Sequence, residues 1–162
     1  MIQTLPFHDT VAKNSKKTLT TNKLNFEYTI LAVEIGFPVG TERLNQIQIL
    51  VCTDATTPTT EAPPGVNIIP TYATTTYYVG DDWYRRFPIE HEVDYKPTWI
   101  KVYANNTDPD YSHTIDVDVI IDIHEPIFEV SQDIGSPEDL ARAIQILEKL
   151  VRRSRYQGVW RV

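Results

Sequence analysis

Cysteine is nearly missing from this chain: Cys52 is the only one in 162 residues. A lone thiol excludes an intrachain disulfide framework and any zinc site built from several cysteines. Long apolar runs are missing as well. None approaches the roughly 18 residues that span a bilayer, and Met1-Ile2-Gln3-Thr4-Leu5-Pro6 lacks the apolar centre of a secretory signal. The expectation is a cytoplasmic protein with no membrane span. Positive charge is scarce: 15 Lys and Arg face 22 Asp and Glu, for a net charge of -7. Such a balance speaks against a nucleic-acid coat, and direct nucleic-acid contact is not expected. A Gly-x-Ser-x-Gly elbow, a phosphate loop and a dinucleotide fingerprint are all absent. The chain therefore reads as a non-enzyme without a cofactor.

What is present is an ordinary globular composition, with 41% hydrophobic and 23% charged residues, enough for one domain with a real core. Its strongest pattern has period two, the signature of half-buried strands. Leu24, Phe26, Tyr28 and Ile30 alternate with Asn25, Glu27 and Thr29, and the run to Ile35 is apolar at most positions. Gly36-Phe37-Pro38-Val39-Gly40 reads as a break. Further strands are expected over residues 46–52, 66–69, 73–79, 83–91 and 98–104. The clearest runs through Ile115, Val117, Val119, Ile121 and Ile123. Between them, residues 53–65 are rich in Thr and Pro and read as an exposed loop. One helix is expected. Ser136-Pro137-Glu138-Asp139 supplies its start, and Leu140, Ala143, Ile144, Leu147, Leu150 and Val151 its apolar stripe. With no βαβ alternation, the fold expected is all-β: an antiparallel β-sandwich, jelly-roll-like, with one C-terminal α-helix. Its parts are a basic N-terminal arm over residues 1–23, a sandwich over 24–130, and an amphipathic helix over 136–157. That helix packs on the domain or on a neighbour.

Charge is segregated. Residues 1–23 carry Lys13, Lys16, Lys17 and Lys23 against Asp9 alone. Residues 136–162 carry Arg142, Lys149, Arg152, Arg153, Arg155 and Arg161 against Glu138, Asp139 and Glu148. All the surplus acid therefore falls on the middle. Two basic extremities on an acidic trunk suit contacts between copies of the chain, or with other subunits of an assembly. The candidate partner-binding residues are Lys13, Lys16, Lys17, Lys23, Arg152, Arg153 and Arg155. On this reading, removal of residues 1–20 abolishes assembly and spares the fold. The plain alternative is a pair of soluble termini.

Other side chains suggest chemistry, each beside a plainer reading. Asp116, Asp118 and Asp122 share one strand face and offer oxygen ligands to Ca²⁺. Residues two apart on a strand stand about 7 Å apart, so the alternative is a solvated outer face. His91, between Glu90 and Glu92, has no second ligand at helical spacing. Cys52 ends an apolar strand and resembles a small buried hydrophobe. Trp83, Tyr84 and Trp99 could form an aromatic platform for a glycan, or simply fill the core or an interface. That platform is the second functional reading: a carbohydrate-binding β-sandwich.

Three stretches prompt a resemblance: Lys13 to Lys23, Gly36-Phe37-Pro38-Val39-Gly40, and the paired late strands Trp99–Ala104 and His113–His124. A basic arm, an acidic β-rich body with Thr/Pro loops and a terminal helix together resemble small virion structural proteins. Single jelly-roll capsid proteins and phage capsid-associated or decoration proteins have this layout. The resemblance implies a non-enzymatic, homo-oligomeric subunit located in the virion. The acidic total implies a shell-surface or accessory position, away from the genome.

Overall fold

The computed structural model describes residues 1–69 and 75–124. These form two antiparallel four-stranded sheets packed as a sandwich. The strands are β1 (Ile2–Val11), β2 (Ser15–Thr20), β3 (Tyr28–Phe37), β4 (Asn45–Cys52), β5 (Val66–Asn67), β6 (Trp83–Val93), β7 (Trp99–Asn106) and β8 (His113–Ile123). One sheet has the order β1-β8-β3-β6 and the other β2-β7-β4-β5. First pairs with last, second with seventh, third with sixth and fourth with fifth.

The core follows from alternation. Ile115, Val117, Val119 and Ile121 of β8 point inward, toward Ile47, Ile49 and Val51 of β4 and Ile100, Val102 and Ala104 of β7 in the same apolar cluster. β3 breaks the rule in an informative way. Ile30 and Val33 are three residues apart, yet both belong to the core. The register with β6 and with β8 shifts between Ile30 and Ala32, so a bulge at Leu31 re-phases the strand. Its continuous apolar run is therefore two inward-facing halves joined out of step. Gly36 and Phe37 continue the strand, and the break comes at Pro38.

The N-terminal arm expected over residues 1–23 does not exist. Ile2–Val11 pairs along its whole length with β8, and Ser15–Thr20 pairs with β7. The reason is visible in the side chains: Phe7, Val11 and Leu24 enter the core, and Leu5 and Leu19 pack against it. Lys17 meets the Asp9 carboxylate at 2.7 Å and donates to the Thr10 carbonyl. Lys16 donates to the Thr60 carbonyl. The Thr/Pro stretch is not a free loop either, because these and other contacts hold it on the outer face of the β2-containing sheet. Residues 75–79 form no strand beyond a single bridge from Tyr78 to Ile47. The helix expected over 136–157, Arg152, Arg153 and Arg155, and the domain end at 130 all lie outside the described residues. Among the described residues no helix is long and apolar enough to cross a membrane.

Each sheet edge is blunted. Met1 and Ile123 exchange both backbone hydrogen bonds, so odd-numbered residues of β1 bond inward and even-numbered ones face the edge. At those edge positions Pro6 has no N–H. The Thr10 N–H donates to Asp9, and its carbonyl accepts from Lys17. β2 carries Lys16 and Lys17, β5 is two residues long, and β6 has Pro88 and the register break. Short strands, lysines, prolines and bulges all discourage strand addition.

One end of the sandwich is tied by a polar knot. The Asn106 amide donates to the carbonyls of Val11, Ala12 and Tyr111, and its oxygen accepts the Asp108 N–H. The Asp108 carboxylate accepts the N–H groups of Asp110 and Tyr111 and meets His113 Nε2 at 2.8 Å. Hydrogen bonds from the Asp110 amide, then Tyr111 and His113, hold this carboxyl below its ordinary value against the opposing effect of burial. Replacing Asn106 by Ala strips three carbonyls of a buried donor. It should cost about 1–3 kcal/mol per group left unsatisfied, read as a lower urea midpoint at unchanged slope. Because the Asp108 carboxyl is lowered by folding, its contribution is present above the ordinary aspartate range of about 4 and fades as pH falls through the lowered value. The Asp108→Asn variant should lose this acid-side slope of stability, measured as melting temperature against pH.

Candidate functional site

The outer face of the β1-containing sheet carries two polar rows that cross all four strands. In one, His8, Asp116, Gly36 and Tyr84 stand side by side; in the next, Pro6, Asp118, Glu34 and Arg86 do so. Register alone produces this arrangement, because each residue is the outward member of its alternating pair. His8 bridges the two rows, with Nδ1 2.8 Å from Asp116 and Nε2 3.3 Å from Asp118. Glu34 accepts from the Tyr84 hydroxyl and pairs with Arg86 at 3.1 Å. The hydrogen bond to Glu34, then desolvation and the nearby Glu34, Asp118 and Asp116 charges, push the Tyr84 hydroxyl up to about 12. Tyr84 stays protonated, and its ring is anchored while 56% exposed.

Beside it lies a shallow hollow of about 340 Å³, lined by Gly36, Phe37, Pro38, Asp82, Trp83, Tyr84 and Asp116. Gly36 forms part of its lining, and a Cβ there would stand 2.5 Å from the Asp116 Oδ2 atom, so the carboxylate would have to swing aside. Trp83 is half-buried. Its ring packs against Phe37 at 4.8 Å between centroids, and the Arg85 guanidinium lies 5.1 Å from its centre. Trp83 and Tyr84 point to opposite faces of β6, and Trp99 belongs to the other sheet. The three aromatics thus do not form one platform. Only Trp83 and Tyr84 reach the same hollow, from its edge.

The acidic residues separate in the same way. Asp116 and Asp118 share His8, whereas Asp122 holds the N-terminal ammonium at 2.8 Å. Among the described residues no group of three or more His, Cys, Asp or Glu side chains is placed to hold a metal ion. Of the four N-terminal lysines, Lys16 and Lys17 are spent within the chain, and Lys13 and Lys23 are exposed. Lys23 borders a cleft of about 580 Å³ between β1 and the β2–β3 connection, with Leu5, Phe7, Leu19 and Phe26 among its walls. Gly36, Glu34 and Asp82 escape sequence reasoning. Gly36 looks like a strand end, and nothing in its neighbours announces the cross-strand partners that give it meaning.

No protein-family model matches the chain, and no characterised protein matches it in sequence. A search of solved structures finds a structure of infectious bursal disease virus, Gx strain, with a TM-score of 0.43 and 9% sequence identity. That match covers 79% of this chain and 33% of the other, so the chain spans about a third of the length of the protein it matches.

Two residues that line the hollow, Phe37 and Trp83, are closely approached by Gly80. A Cβ on Gly80 would lie 2.2 Å from the Trp83 indole nitrogen and 2.7 Å from the Phe37 ring. Gly80→Ala should therefore dislodge the indole at a cost of about 1–3 kcal/mol. The expected readout is a lower urea midpoint with red-shifted tryptophan emission.

Proposed function

We propose that this chain is a non-enzymatic structural subunit of a homo-oligomeric assembly, a capsid or capsid-associated protein of a virion. The observation that carries the reading is the strand order. A chain folded double, first strand on last and so inward to the fourth and fifth, and then arranged as two sheets β1-β8-β3-β6 and β2-β7-β4-β5, has the nested order expected of a jelly roll and supports that reading. Viral capsid proteins are a principal user of that topology, and lectin domains are another. This is an inference from fold to role, and a fold hosts more than one role.

The chemistry of the side chains supports binding over catalysis. His113 is hydrogen-bonded to Asp108 and His124 to Thr29, and His8 Nδ1 lies 2.8 Å from the Asp116 carboxylate. Cys52 is 1% exposed, and burial pushes its thiol up, away from the reactive thiolate. Blunted edges disfavour growth by strand addition, so copies of the chain meet through sheet faces and loop ends. Lys13 and Lys23 are the exposed N-terminal cations available to such partners, and Arg152, Arg153 and Arg155 remain the C-terminal candidates. Purified protein should scatter light as a defined species well above the 18.6 kDa of one chain. A monomer at high concentration contradicts the reading.

One observation favours a carbohydrate-binding reading as well. The hollow brings an exposed, hydroxyl-anchored ring and two carboxylates, Asp82 and Asp116, to one place. Flat rings and carboxylate acceptors are what a sugar's apolar face and hydroxyls require. Glycan-array binding that disappears in Tyr84→Ala at unchanged stability selects this second reading; an array without signal removes it.

A further inference from the structure

The Thr/Pro segment from residue 53 to 65 is attached to the outer face of the β2-containing sheet in an unusual way. It covers Leu50, Cys52 and Tyr103, a small apolar cluster separate from the main core, and Ala62 of the segment packs against that cluster. Of the segment's own residues, Pro63 alone is buried; Asp54, Pro58 and Ala62 are half-buried and the rest exposed. The attachment is polar, and it comes from the sheet. Lys101 is fully buried, with its ammonium 3.1 Å from Asp54 and 2.6 Å from the Thr56 carbonyl. The Thr18 hydroxyl donates to the Pro58 carbonyl and Lys16 to the Thr60 carbonyl. Asp54 also accepts from the Thr56 hydroxyl and N–H, and these contacts, then Lys101, hold its carboxyl down at about 2. At the far end Gly65 lies so close that a Cβ would stand 2.6 Å from the Cys52 sulfur and 2.7 Å from the Val51 carbonyl oxygen.

We propose that residues 53–65 are a displaceable strap, latched by Lys101 through Asp54 and Thr56, that opens while the sandwich stays folded and uncovers the Leu50–Cys52–Tyr103 strip. The proposal goes beyond the assembly reading and does not depend on it. Segments with few buried apolar contacts open locally at lower free energy than the whole domain, and this segment meets that description. The ladder of the face beneath, β4 on β7 from Asn45 to Cys52, uses no residue of the strap. Opening also returns the Lys101 ammonium to water, which offsets part of the cost of breaking its bonds. The strap therefore decides whether the outer face of this sheet presents Thr and Pro or an apolar strip with one central cation.

Cys52 lies under the strap and is the only cysteine of the chain, so a thiol reagent reads the opening directly. The intact protein is labelled with Ellman's reagent across a urea series below the unfolding transition. The expected rate is far below that of a free thiol, depends only weakly on urea, and exceeds the rate allowed by global unfolding. Asp54→Ala and Lys101→Met should each raise it roughly tenfold, since loss of one charge-assisted contact is worth about that factor. Labelling that follows the urea dependence of global unfolding overturns the proposal, and so does labelling of the native protein at the free-thiol rate. The urea dependence of the unmodified protein decides the matter even if both variants fail to fold.

Discussion

The ladder between the first strand and the last is the constraint on which the rest of the structure depends. Ten registered pairs run from Ile2 opposite Asp122 to Val11 opposite His113. Every other pairing is nested inside this one, so the closing strands fix the register within which β2 meets β7 and β3 meets β6. The ladder is also the most distant contact in the described sequence, and loop closure of that span must be offset by apolar burial. Phe7 and Val11 contribute that burial on β1, and Ile115, Val117, Val119 and Ile121 on β8. The ammonium of Met1 on Asp122 and the Asn106–Asp108–His113 knot then tie the two ends of the ladder.

Much of the sandwich was legible in the sequence because alternation is a local property. β4, β7 and β8 begin and end within a few residues of where their patterns place them, and β3 and β6 differ only at their ends. What escaped was set by distant partners. Leu5, Phe7 and Val11 alternate with the right spacing for a strand, but Pro6 and the neighbouring lysines carry the look of a solvated arm. Those same features mark an edge strand, where a missing N–H and exposed ammonium groups are useful. The split between the two readings depends on whether β8 offers a partner, which no window around residue 6 reveals. The candidate site is less legible still. Glu34, Gly36, Tyr84 and Asp116 come from three strands, and only the register brings them into line. Lys101 alternates along β7 with the core residues Ile100 and Val102, and its burial depends on a segment about 45 residues earlier, which no local pattern reveals.

Electrostatics works differently here from the pattern that segregated charge suggests. Lys16 and Lys17 act within the chain, one on the strap and one on the edge of β1, and so give shape in place of reach. Acidic side chains share this role: Asp81 accepts the N–H groups of Gly40 and Thr41 and fixes the β3–β4 turn, where Gly40 takes a φ of 87°. Two cations of the N-terminal segment, Lys16 and Lys17, are thus engaged within the chain, and Lys13 and Lys23 stay exposed. Contacts between copies, on the proposed reading, are then made through faces and loop ends of opposite character and not through a trailing arm.

The most direct test is deletion of residues 1–20, followed by urea unfolding monitored by circular dichroism and fluorescence together. With β1 and β2 removed, the inner faces of β8 and β7 lose their outermost partners, and the account predicts no cooperative transition. A truncated chain that unfolds cooperatively with the stability of the whole protein would show that the first twenty residues are an appendage, and would contradict it.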